Sequence, residues 1–527
     1  MRSPLKATSR VARIGSVIPL EAVLVGLALF VLLIVFVAAD PAAHVTGSAA
    51  PFTDEGLNLV NPRNFAQLGQ WSFDDWTRHY VELPFALLEA ATFWLLGTGI
   101  VQARLPMILC VSLTATAITW GLRDVVGRAW AIFAGLAFGF SGLVLYYGRL
   151  VFFEDPVVLA MTIGTLVLVK EKRINLRWGL VSGLCYGIAI GTKPNAAFGV
   201  IGVLLALGLV WGWRDTSMRR WVVGSSLSIA ILGLLWAVII WLPNRAAVAI
   251  DLSTWPALDP QLTPGAFIES VRQYVVTGGD RLFKQLLGPA LFLAAAGSVL
   301  ALALRHRLTA SQARLAVAAF AWAAGSYGIL LVVTYRPNRY VVPIVPALAI
   351  LAAIGFSALA SWLASTIAAR SAAEPSSLGA AAVDDRALDA AGTLDMRPVG
   401  VPRFVGPVIA AILIVAAVAP GLNLYRGWMS HAAYDLPAIQ NQFADIVPAG
   451  TRVAGPDSTL FLMRSKAIAT VTKFTNLGNL YSEGVRYYLV DQASAAPTGV
   501  PASSWAARRS LACATWAGST TCLFQVP

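Results

Sequence analysis

Charged residues are scarce in this sequence. Asp, Glu, Lys and Arg make up 13% of the 527 residues, against about 25% in a typical soluble domain, whereas hydrophobic residues make up 57%. A water-soluble fold cannot bury so much apolar sequence in its interior. The composition therefore predicts one large membrane domain with a smaller appendage, and it argues against a soluble domain carried on a single anchor.

Residues and motifs that serve metal-dependent hydrolysis or nucleotide-driven transport are also few. Four histidines are present without the spacing of metal ligands, namely His44, His79, His306 and His431. The sequence contains no Gly-rich loop ending in Lys-Ser or Lys-Thr, and no nucleophilic serine elbow. ATP-driven transport and zinc-dependent hydrolysis are therefore disfavoured.

Only four cysteines are present, and they constrain the fold little. Cys110 and Cys185 fall inside apolar runs, where cysteine behaves as a small buried hydrophobic residue. Cys513 and Cys522 would close a small disulfide loop if that part of the chain faces an oxidising compartment. The sequence leaves that pairing open.

Apolar runs of membrane-spanning length recur along the chain. They lie near 17–39, 100–121, 129–147, 156–169, 178–192, 196–213, 221–242, 286–304, 314–334, 340–363 and 404–424. The pattern predicts an all-α membrane domain of about eleven transmembrane helices. The formal net charge of +12 comes from short Lys and Arg clusters between these runs, so membrane topology explains it without a nucleic-acid partner.

The distribution of basic residues predicts the orientation of the chain. By the positive-inside rule, residues 1–16 and the connections rich in Lys and Arg are cytoplasmic. These connections carry Arg123 and Arg128; Lys170, Lys172, Arg173 and Arg177; Arg214, Arg219 and Arg220; and Arg305, Arg307 and Arg314. The alternate connections then lie outside the cytoplasmic membrane, near 40–99, 148–155, 193–195, 243–285 and 335–339. An odd number of spans places the C-terminus outside as well.

The predicted domains follow from these runs. Residues 17–364 form a transmembrane domain with its first external loop at 40–99, and 404–424 form the last transmembrane helix. Residues 365–403 are rich in Ala and small polar residues, which is typical of a flexible cytoplasmic linker. Helix, turn and strand patterns predict a small extracytoplasmic α/β subdomain at 425–527.

Two acidic pairs lie at the predicted outer face. Asp54 and Glu55 are in the first external loop, and Glu154 and Asp155 open the fourth span. Either pair could simply mark a solvated helix N-terminus. Ionisable groups close to lipid are unfavourable, however, so their position favours a function.

Basic residues also occur on the predicted outer side, against the positive-inside trend. They are His79, Arg149, Lys193, Arg336 and Arg339. Any one of them could be a snorkelling side chain or a chance loop charge. As a set they suit an anionic headgroup, because guanidinium groups bind phosphate bidentately and Lys adds a point charge.

These motifs resemble, in their order, the GT-C superfamily of membrane glycosyltransferases, in the branch of the protein O-mannosyltransferases and the aminoarabinose transferase of lipid A. Asp54 and Glu55 resemble the acidic motif of the first external loop, and Arg149 with the pair Glu154 and Asp155 resembles the second motif. The segments RHYVELPF, GTKPN and YRPNRYVVPIVPAL are similar to later family segments. The resemblance covers roughly residues 15–365.

The resemblance implies that a sugar is moved from a polyprenyl-phosphate donor to a protein, lipid or cell-envelope glycan, with inversion at the anomeric carbon. Asp54 is then the base or the carboxylate that orients the acceptor, and Glu55 belongs to the same catalytic set. Glu154 and Asp155 orient the acceptor or the sugar, or help to bind a divalent metal. The donor phosphate is then bound by Arg149, Lys193, Arg336, Arg339 and His79. The sugar, the acceptor, the oligomeric state and the need for a metal stay open.

Two other classes of function compete with this interpretation. A secondary transporter or flippase of a lipid-linked or anionic substrate would also be rich in spans, but it would place ionisable residues near helix centres. Here the charges gather at outer helix ends beside a long first loop. A non-catalytic assembly subunit would tolerate Asp54→Asn, which a transferase should not.

Overall fold

Apolar helices make up most of the fold. The structure is a computed structural model, and it describes residues 18–40, 54–71, 80–246, 248–249, 263–272, 297–300, 303, 305–332, 337–373, 405–455, 458–470, 484–491, 502–516 and 519–525. By length and composition, five helices in these residues could cross a membrane: Ile100–Val126, Thr216–Trp241, Ala310–Val332, Asn338–Ile367 and Gly406–Met429. Shorter apolar helices lie at Leu20–Val35, Leu83–Leu96, Arg128–Gly139 and Ala196–Gly212.

The described helices and strands are numbered here in chain order. The helices are α1 (Leu20–Val35), α2 (Asp54–Leu68), α3 (Leu83–Leu96), α4 (Ile100–Val126), α5 (Arg128–Gly139), α6 (Gly142–Tyr147), α7 (Glu154–Leu166), α8 (Leu176–Thr192), α9 (Ala196–Leu207), α10 (Thr216–Trp236), α11 (Pro264–Val271), α12 (Ala310–Val332), α13 (Val345–Ala373), α14 (Val405–Met429), α15 (Asp435–Gln442), α16 (Ser458–Phe461) and α17 (Ala502–Ala506). Segments of 3₁₀ helix lie at Val167–Val169, Glu171–Arg173, Arg305–Arg307 and Asn338–Ile344. The strands are β1 (Arg452–Ala454), β2 (Ile468–Thr470), β3 (Tyr487–Asp491), β4 (Arg509–Trp516) and β5 (Ser519–Gln525).

Most predicted spans fall on helices, but the predicted count of about eleven is not confirmed. The run 129–147 is two helices, α5 and α6, because Ser141 has an extended backbone and its side chain caps α6 at the N–H of Val144. The predicted loop 40–99 contains α2 and the apolar α3. The run 286–304 falls mostly outside the described residues.

The predicted linker 365–403 is also only partly described. Helix α13 continues to Ala373, so the first part of that segment is helical. Residues 374–403 fall outside the described residues. The flexibility of this segment and its place on the cytoplasmic side therefore stay predictions.

Helices α7, α8 and α10 pack closely because small residues form their contacts. Ser182 of α8 donates through Oγ to the carbonyl of Gly164 on α7 at 2.9 Å, and Ser225 of α10 donates to the carbonyl of Gly179 on α8 at 3.0 Å. A Cβ atom on Gly183 would lie 2.3 Å from the carbonyl oxygen of Ser225. Side chains this small let the helix backbones approach each other, and the packing fixes the ends of α7 and α8.

A five-stranded sheet forms the C-terminal part of the chain. Its strand order is β2-β1-β3-β5-β4, with β1 parallel to β2 and β3, and β5 antiparallel to β3 and β4. Cys513 and Cys522 face each other across β4 and β5 and form a disulfide. The predicted C-terminal sheet is confirmed, and the cysteine pairing that the sequence leaves open is formed.

Candidate functional site

Four chain segments bring charged side chains together at one end of the helix bundle. Asp54 begins α2, and Glu154 and Asp155 begin α7. Lys193 directly follows α8, and Arg339 lies in the 3₁₀ segment Asn338–Ile344. A helix dipole favours carboxylates at its N-terminus and an ammonium at its C-terminus, so the three helix ends support these charges. We call these five residues the acid–base cluster.

The accessible part of the acid–base cluster is the contact between Asp54 and Arg339. Arg339 Nη2 lies 2.8 Å from Oδ2 of Asp54, and Arg339 Nε lies 3.9 Å from Oε1 of Glu154. The Asp54 side chain is 27% exposed, whereas Glu154 and Asp155 are fully buried. Of the three carboxylates, Asp54 is therefore the one that an incoming substrate can reach.

Lys193 is held between a carboxylate and an aromatic ring. Its Nζ donates to Oε1 of Glu154 and lies 3.8 Å from the centroid of the Tyr340 ring. Burial lowers the pKa of Lys193 below its ordinary value, and the charge of Glu154 opposes that shift. Glu82, which is buried just before α3, also stabilises the ammonium. The cation is thus fixed at the buried side of the cluster.

Asp155 is the unsatisfied member of the cluster. It is fully buried, and within the described residues neither of its Oδ atoms has a hydrogen-bond partner. The Oε2 atom of Glu154 is likewise unpaired there. Buried polar atoms without a partner are unfavourable. Part of the acceptor capacity of these two carboxylates is therefore unused within the described residues.

Glu55 belongs to a different, buried arrangement. Arg104 of α4 binds it bidentately, with Nε 2.8 Å from Oε1 and Nη2 2.5 Å from Oε2. The Oε1 atom also accepts a hydrogen bond of 3.0 Å from the N–H of Val151. Both side chains of the pair are fully buried. The pair therefore fixes α2 against α4 and leaves Glu55 inaccessible to a substrate.

Arg149 lies beside this pair and donates to the backbone. Its Nη1 donates to the carbonyl of Ala39, and its Nη2 donates to the carbonyl of Asp40 at 3.3 Å. Arg104 Nη1 donates to the carbonyls of Val37 and Ala39 at 2.7 and 2.8 Å. We call Glu55, Arg104 and Arg149 the anchoring cluster, because together they hold the chain that leaves α1.

The C-terminal sheet also positions α2, the helix that carries Asp54. Asn64 donates through Nδ2 to the carbonyl of Ala469 at 2.9 Å, and the Ala469 N–H donates to Asn64 Oδ1 at 3.3 Å. The neighbouring Arg63 donates to the carbonyl groups of Leu462, Ser465 and Ala467. Asn64 thus pairs with the backbone of the edge strand β2, and Arg63 holds the segment that leads into it.

The predicted site residues therefore fall into three groups. The acid–base cluster unites Asp54, Glu154, Asp155, Lys193 and Arg339, and the anchoring cluster contains Glu55 and Arg149. His79 and Arg336 fall outside the described residues. The catalytic and phosphate-binding roles of all these residues stay predictions.

Sequence reasoning missed Arg104, Glu82 and Tyr340. Arg104 lies inside the predicted span 100–121, where an ionisable side chain needs a partner, and this unfavourable position singles it out. Glu82 is part of the segment RHYVELPF, which the family resemblance already includes. Tyr340 is part of the segment YRPNRYVVPIVPAL, which the family resemblance also includes.

The sequence leaves the need for a divalent metal open. Within the described part of the chain, no group of three or more His, Cys, Asp or Glu residues could hold a metal ion. Lys193 and Arg339 already balance much of the carboxylate charge in the acid–base cluster. The possible divalent metal therefore stays a prediction without a described site.

An apolar groove of about 490 Å³ opens beside the acid–base cluster. It lies between the start of α3, the end of α8 and α10, and its lining includes Pro84, Gly191, Pro194, Leu232, Trp236 and Ile240. Pro194 directly follows Lys193 in the chain. The Trp236 Nε1–H donates to the carbonyl of Tyr80 at 2.7 Å, which fixes one wall. An apolar channel and a cation therefore lie side by side.

Solved structures resemble this fold, although no family model and no curated protein match the sequence. ArnT from Cupriavidus metallidurans bound to undecaprenyl phosphate matches with a TM-score of 0.59 and 16% identity, over 95% of this chain and 97% of that chain. The apo state of the same protein gives a TM-score of 0.60 and 14% identity over the same shares. This chain has the GT-C fold.

A second GT-C protein matches over part of its length. The arabinofuranosyltransferase AftD from Mycobacteria gives a TM-score of 0.52 and 14% identity, over 96% of this chain and 40% of that chain. The predicted resemblance to the GT-C superfamily is thus confirmed for the fold, and the chain is a multi-pass membrane protein.

Proposed function

We propose that this GT-C protein transfers a sugar from a polyprenyl-phosphate donor to an acceptor in a single inverting displacement. The acceptor is a protein, a lipid or a cell-envelope glycan on the outer face of the cytoplasmic membrane. The observation that carries the proposal is the acid–base cluster, in which a partly exposed Asp54 lies 2.8 Å from Arg339. Its Lys193 directly precedes Pro194, which lines the apolar groove. A lipid phosphate needs that combination of cation and apolar surface.

The chemistry requires a base and a site for a departing anion. A bond forms between an acceptor oxygen and the anomeric carbon while the bond from that carbon to the phosphate oxygen breaks. Asp54 takes the proton of the acceptor hydroxyl, because it is the reachable carboxylate of the cluster. Lys193 and Arg339 stabilise the negative charge that develops on the lipid phosphate.

The buried Glu154 supplies orientation in this scheme. It contacts Lys193 and lies 3.9 Å from Arg339 Nε, so it holds both cations in position for the phosphate. Lys193 and Arg339 each already contact a carboxylate, so the phosphate shares these cations with Glu154 and Asp54 rather than meeting free charges. A guanidinium group has five N–H donors, which makes such sharing possible.

The apolar groove supports a polyprenyl donor. It adjoins Pro194, the neighbour of Lys193, and continues along α10 between apolar side chains. An isoprenoid chain in the groove would place its phosphate beside the Lys193 ammonium. ArnT, whose fold this chain shares, was crystallised with undecaprenyl phosphate, and this likeness supports the same class of donor here.

The outer location of the cluster rests on two independent features. The positive-inside rule places residues 1–16 and the basic connections in the cytoplasm, which leaves the opposite end of the bundle outside. The Cys513–Cys522 disulfide of the C-terminal sheet is typical of an oxidising compartment. We accordingly propose residues 17–364 as the catalytic membrane domain and 425–527 as an extracytoplasmic subdomain.

The decisive experiment compares wild type with Asp54→Asn in lipid bilayers supplied with a panel of polyprenyl-phosphate sugars. We expect turnover to fall by about 100-fold or more, because the amide cannot accept the acceptor proton. Asp445→Asn is the matched control, since Asp445 is exposed in the C-terminal subdomain and lies outside both clusters. Unchanged turnover in Asp54→Asn would remove the base from the mechanism.

The same panel separates the transferase from a secondary transporter or flippase. A transferase forms a new glycosidic product, with inverted configuration, in detergent where no gradient exists. A flippase moves the labelled lipid across a sealed bilayer and leaves the donor bond intact. Translocation of the lipid without any glycosidic product would therefore show a flippase and contradict the proposed function.

A further inference from the structure

A second cavity lies at the opposite end of the same helices. It is lined by the last turns of α4 and α7, the segment 167–173 and the first turns of α8. On α4, the residues from Arg104 in the anchoring cluster to Gly121 in this cavity span about 26 Å at 1.5 Å rise per residue. That distance approaches the thickness of the hydrocarbon core of a bilayer, about 30 Å. The cavity therefore lies near the membrane face remote from the acid–base cluster.

The interior of this cavity is apolar and open to lipid. Its volume is about 160 Å³, and its walls include Ala117, Trp120, Ile163, Leu166 and Val181. Trp120, Ile163 and Val181 are 38%, 41% and 40% exposed, so the cavity faces outward from the bundle. The space suits part of an acyl chain and not a protein helix, whose diameter with side chains is about 10 Å.

Basic residues form the rim of the cavity. Lys170 and Arg173 both line it, and the Arg173 guanidinium lies 4.6 Å from the centroid of the Trp178 ring, which orients it. The acid of the rim is Asp124, whose Oδ2 lies 3.8 Å from Lys170 Nζ. Both groups of that pair are exposed, so the contact is weak and an anion can displace it.

We propose that this cavity, which we name the basic notch, binds one anionic glycerophospholipid of the leaflet opposite the acid–base cluster. Lys170 and Arg173 hold the headgroup phosphate, and the upper part of one acyl chain lies against Trp120, Ile163 and Val181. Basic pockets between transmembrane helices on the cytoplasmic side are a recognised form of lipid headgroup site. A soluble phosphate would gain nothing from the apolar walls, which favours a lipid as the occupant.

Native mass spectrometry of the purified full-length protein tests the proposal by the retention of phosphatidylglycerol, with phosphatidylethanolamine as the competitor. We expect wild type to retain one phosphatidylglycerol in preference to phosphatidylethanolamine. The double variant Lys170→Gln/Arg173→Gln should weaken that retention by about tenfold or more, because each basic residue contributes to the attraction of an anionic headgroup.

The matched control removes the same charge from the same connection. In Lys172→Gln/Arg177→Gln both substituted residues are exposed and neither lines the notch, so retention should stay within about twofold of wild type. Equal losses in the two double variants would show diffuse charge attraction and would overturn the proposal.

A second pair of variants tests the shape of the notch without changing charge. Ala117→Leu fills the cavity and should reduce retention, whereas Ala91→Leu, on an exposed position of α3 outside the notch, should not. Retention that is insensitive to Ala117→Leu, or that does not distinguish phosphatidylglycerol from phosphatidylethanolamine, would contradict the assignment. Lipid retention is measured without transferase activity, so this test can fail while the proposed function holds, and the reverse.

Discussion

Asp54 and Glu55 are adjacent in the sequence, yet they enter two different environments. Asp54 Oδ2 lies 2.8 Å from Arg339 Nη2, and 27% of the Asp54 side chain is exposed. Glu55 is fully buried and receives two hydrogen bonds from Arg104 and one from the N–H of Val151. One acidic motif therefore supplies an accessible carboxylate to the acid–base cluster and a buried one to the anchoring cluster.

The geometry of the first turn of α2 explains the division. Consecutive residues of an α-helix point about 100° apart around its axis, so two adjacent side chains can face different partners. Asp54 turns toward the 3₁₀ segment that carries Arg339, and Glu55 turns toward α4. The buried pair of Glu55 and Arg104 holds α2 in place and so fixes the position of the Asp54 carboxylate.

The largest effect should come from breaking the anchoring cluster. Arg104→Met leaves the Glu55 carboxylate buried without its partner, which costs about 3–5 kcal/mol of unfolding free energy. Thermal unfolding in detergent micelles, followed by intrinsic fluorescence, should show a large fall in the transition temperature. Arg123→Met is the control, because Arg123 is on the same helix and pairs with Glu21 at 3.1 Å while 45% exposed.

Arg123 has an exposed guanidinium, and Arg128 also contacts Glu21 of α1 at 3.5 Å. Arg123→Met should therefore cost only about 0–1 kcal/mol and unfold close to wild type. Similar losses in the two variants would mean that the burial of Glu55 and Arg104 is not what anchors α2. The structural role that we assign to Glu55, in contrast to Asp54, would then be wrong.

The next effect should appear in turnover after Lys193 is removed from the acid–base cluster. Lys193→Met takes away a cation that stabilises the departing phosphate, and we expect turnover to fall by about 100-fold. The variant also leaves Glu154 buried without its ammonium. Steady-state rates with the polyprenyl-phosphate donor should be measured beside thermal unfolding.

The double variant Glu154→Gln/Lys193→Met separates the two consequences. The neutral amide removes the unpaired charge, so stability should recover toward that of wild type while turnover stays low. Recovery of turnover together with stability would show that Lys193 only balances Glu154. The role of the acid–base cluster in binding phosphate would then rest on Arg339 alone among the described cations of the cluster.

The helices were predictable from sequence because apolar length is a local property. The runs 178–192 and 314–334 match α8 and α12 closely, since nothing inside them breaks the helix. The break at Ser141 was missed, because a serine in an apolar run forms a cap only where the backbone turns extended. Helix α3 was missed because Glu89 interrupts its apolar run, and the segment was assigned to a loop.

The division of the charged residues into the acid–base cluster and the anchoring cluster could not be predicted in the same way. Nothing near Glu55 in the chain reveals Arg104, because 49 residues separate them and only the packing of α2 on α4 brings them together. Arg149 precedes an acidic pair, as a phosphate ligand in the resembled motif would, yet its donors meet the carbonyl groups that follow α1. Sequence patterns identify the charged residues, and the tertiary contacts decide which of them a substrate can reach.

The smallest effect should come from Asp40, which joins the anchored segment to the C-terminal subdomain. Its carboxylate accepts hydrogen bonds from the N–H groups of Asp435 and Leu436 at 3.0 and 3.4 Å, and so caps α15. Asp40→Ala removes that cap and should lower the unfolding free energy by about 1 kcal/mol. Asp40→Asn keeps an acceptor and should lose less, and Asp445→Ala controls for an exposed aspartate.

The dependence of this effect on pH provides a sharper test. Burial raises the pKa of Asp40 above its ordinary 3.8, while the N–H of Asp435 opposes the shift. The folded chain thus binds this proton more tightly than the unfolded chain does. The contribution of Asp40 to stability is therefore greatest below pH 3.8 and declines as the pH rises through the raised value. Wild type should lose stability relative to Asp40→Asn between acidic and neutral pH. Parallel pH profiles of the two proteins would show that Asp40 is not desolvated between α1 and α15.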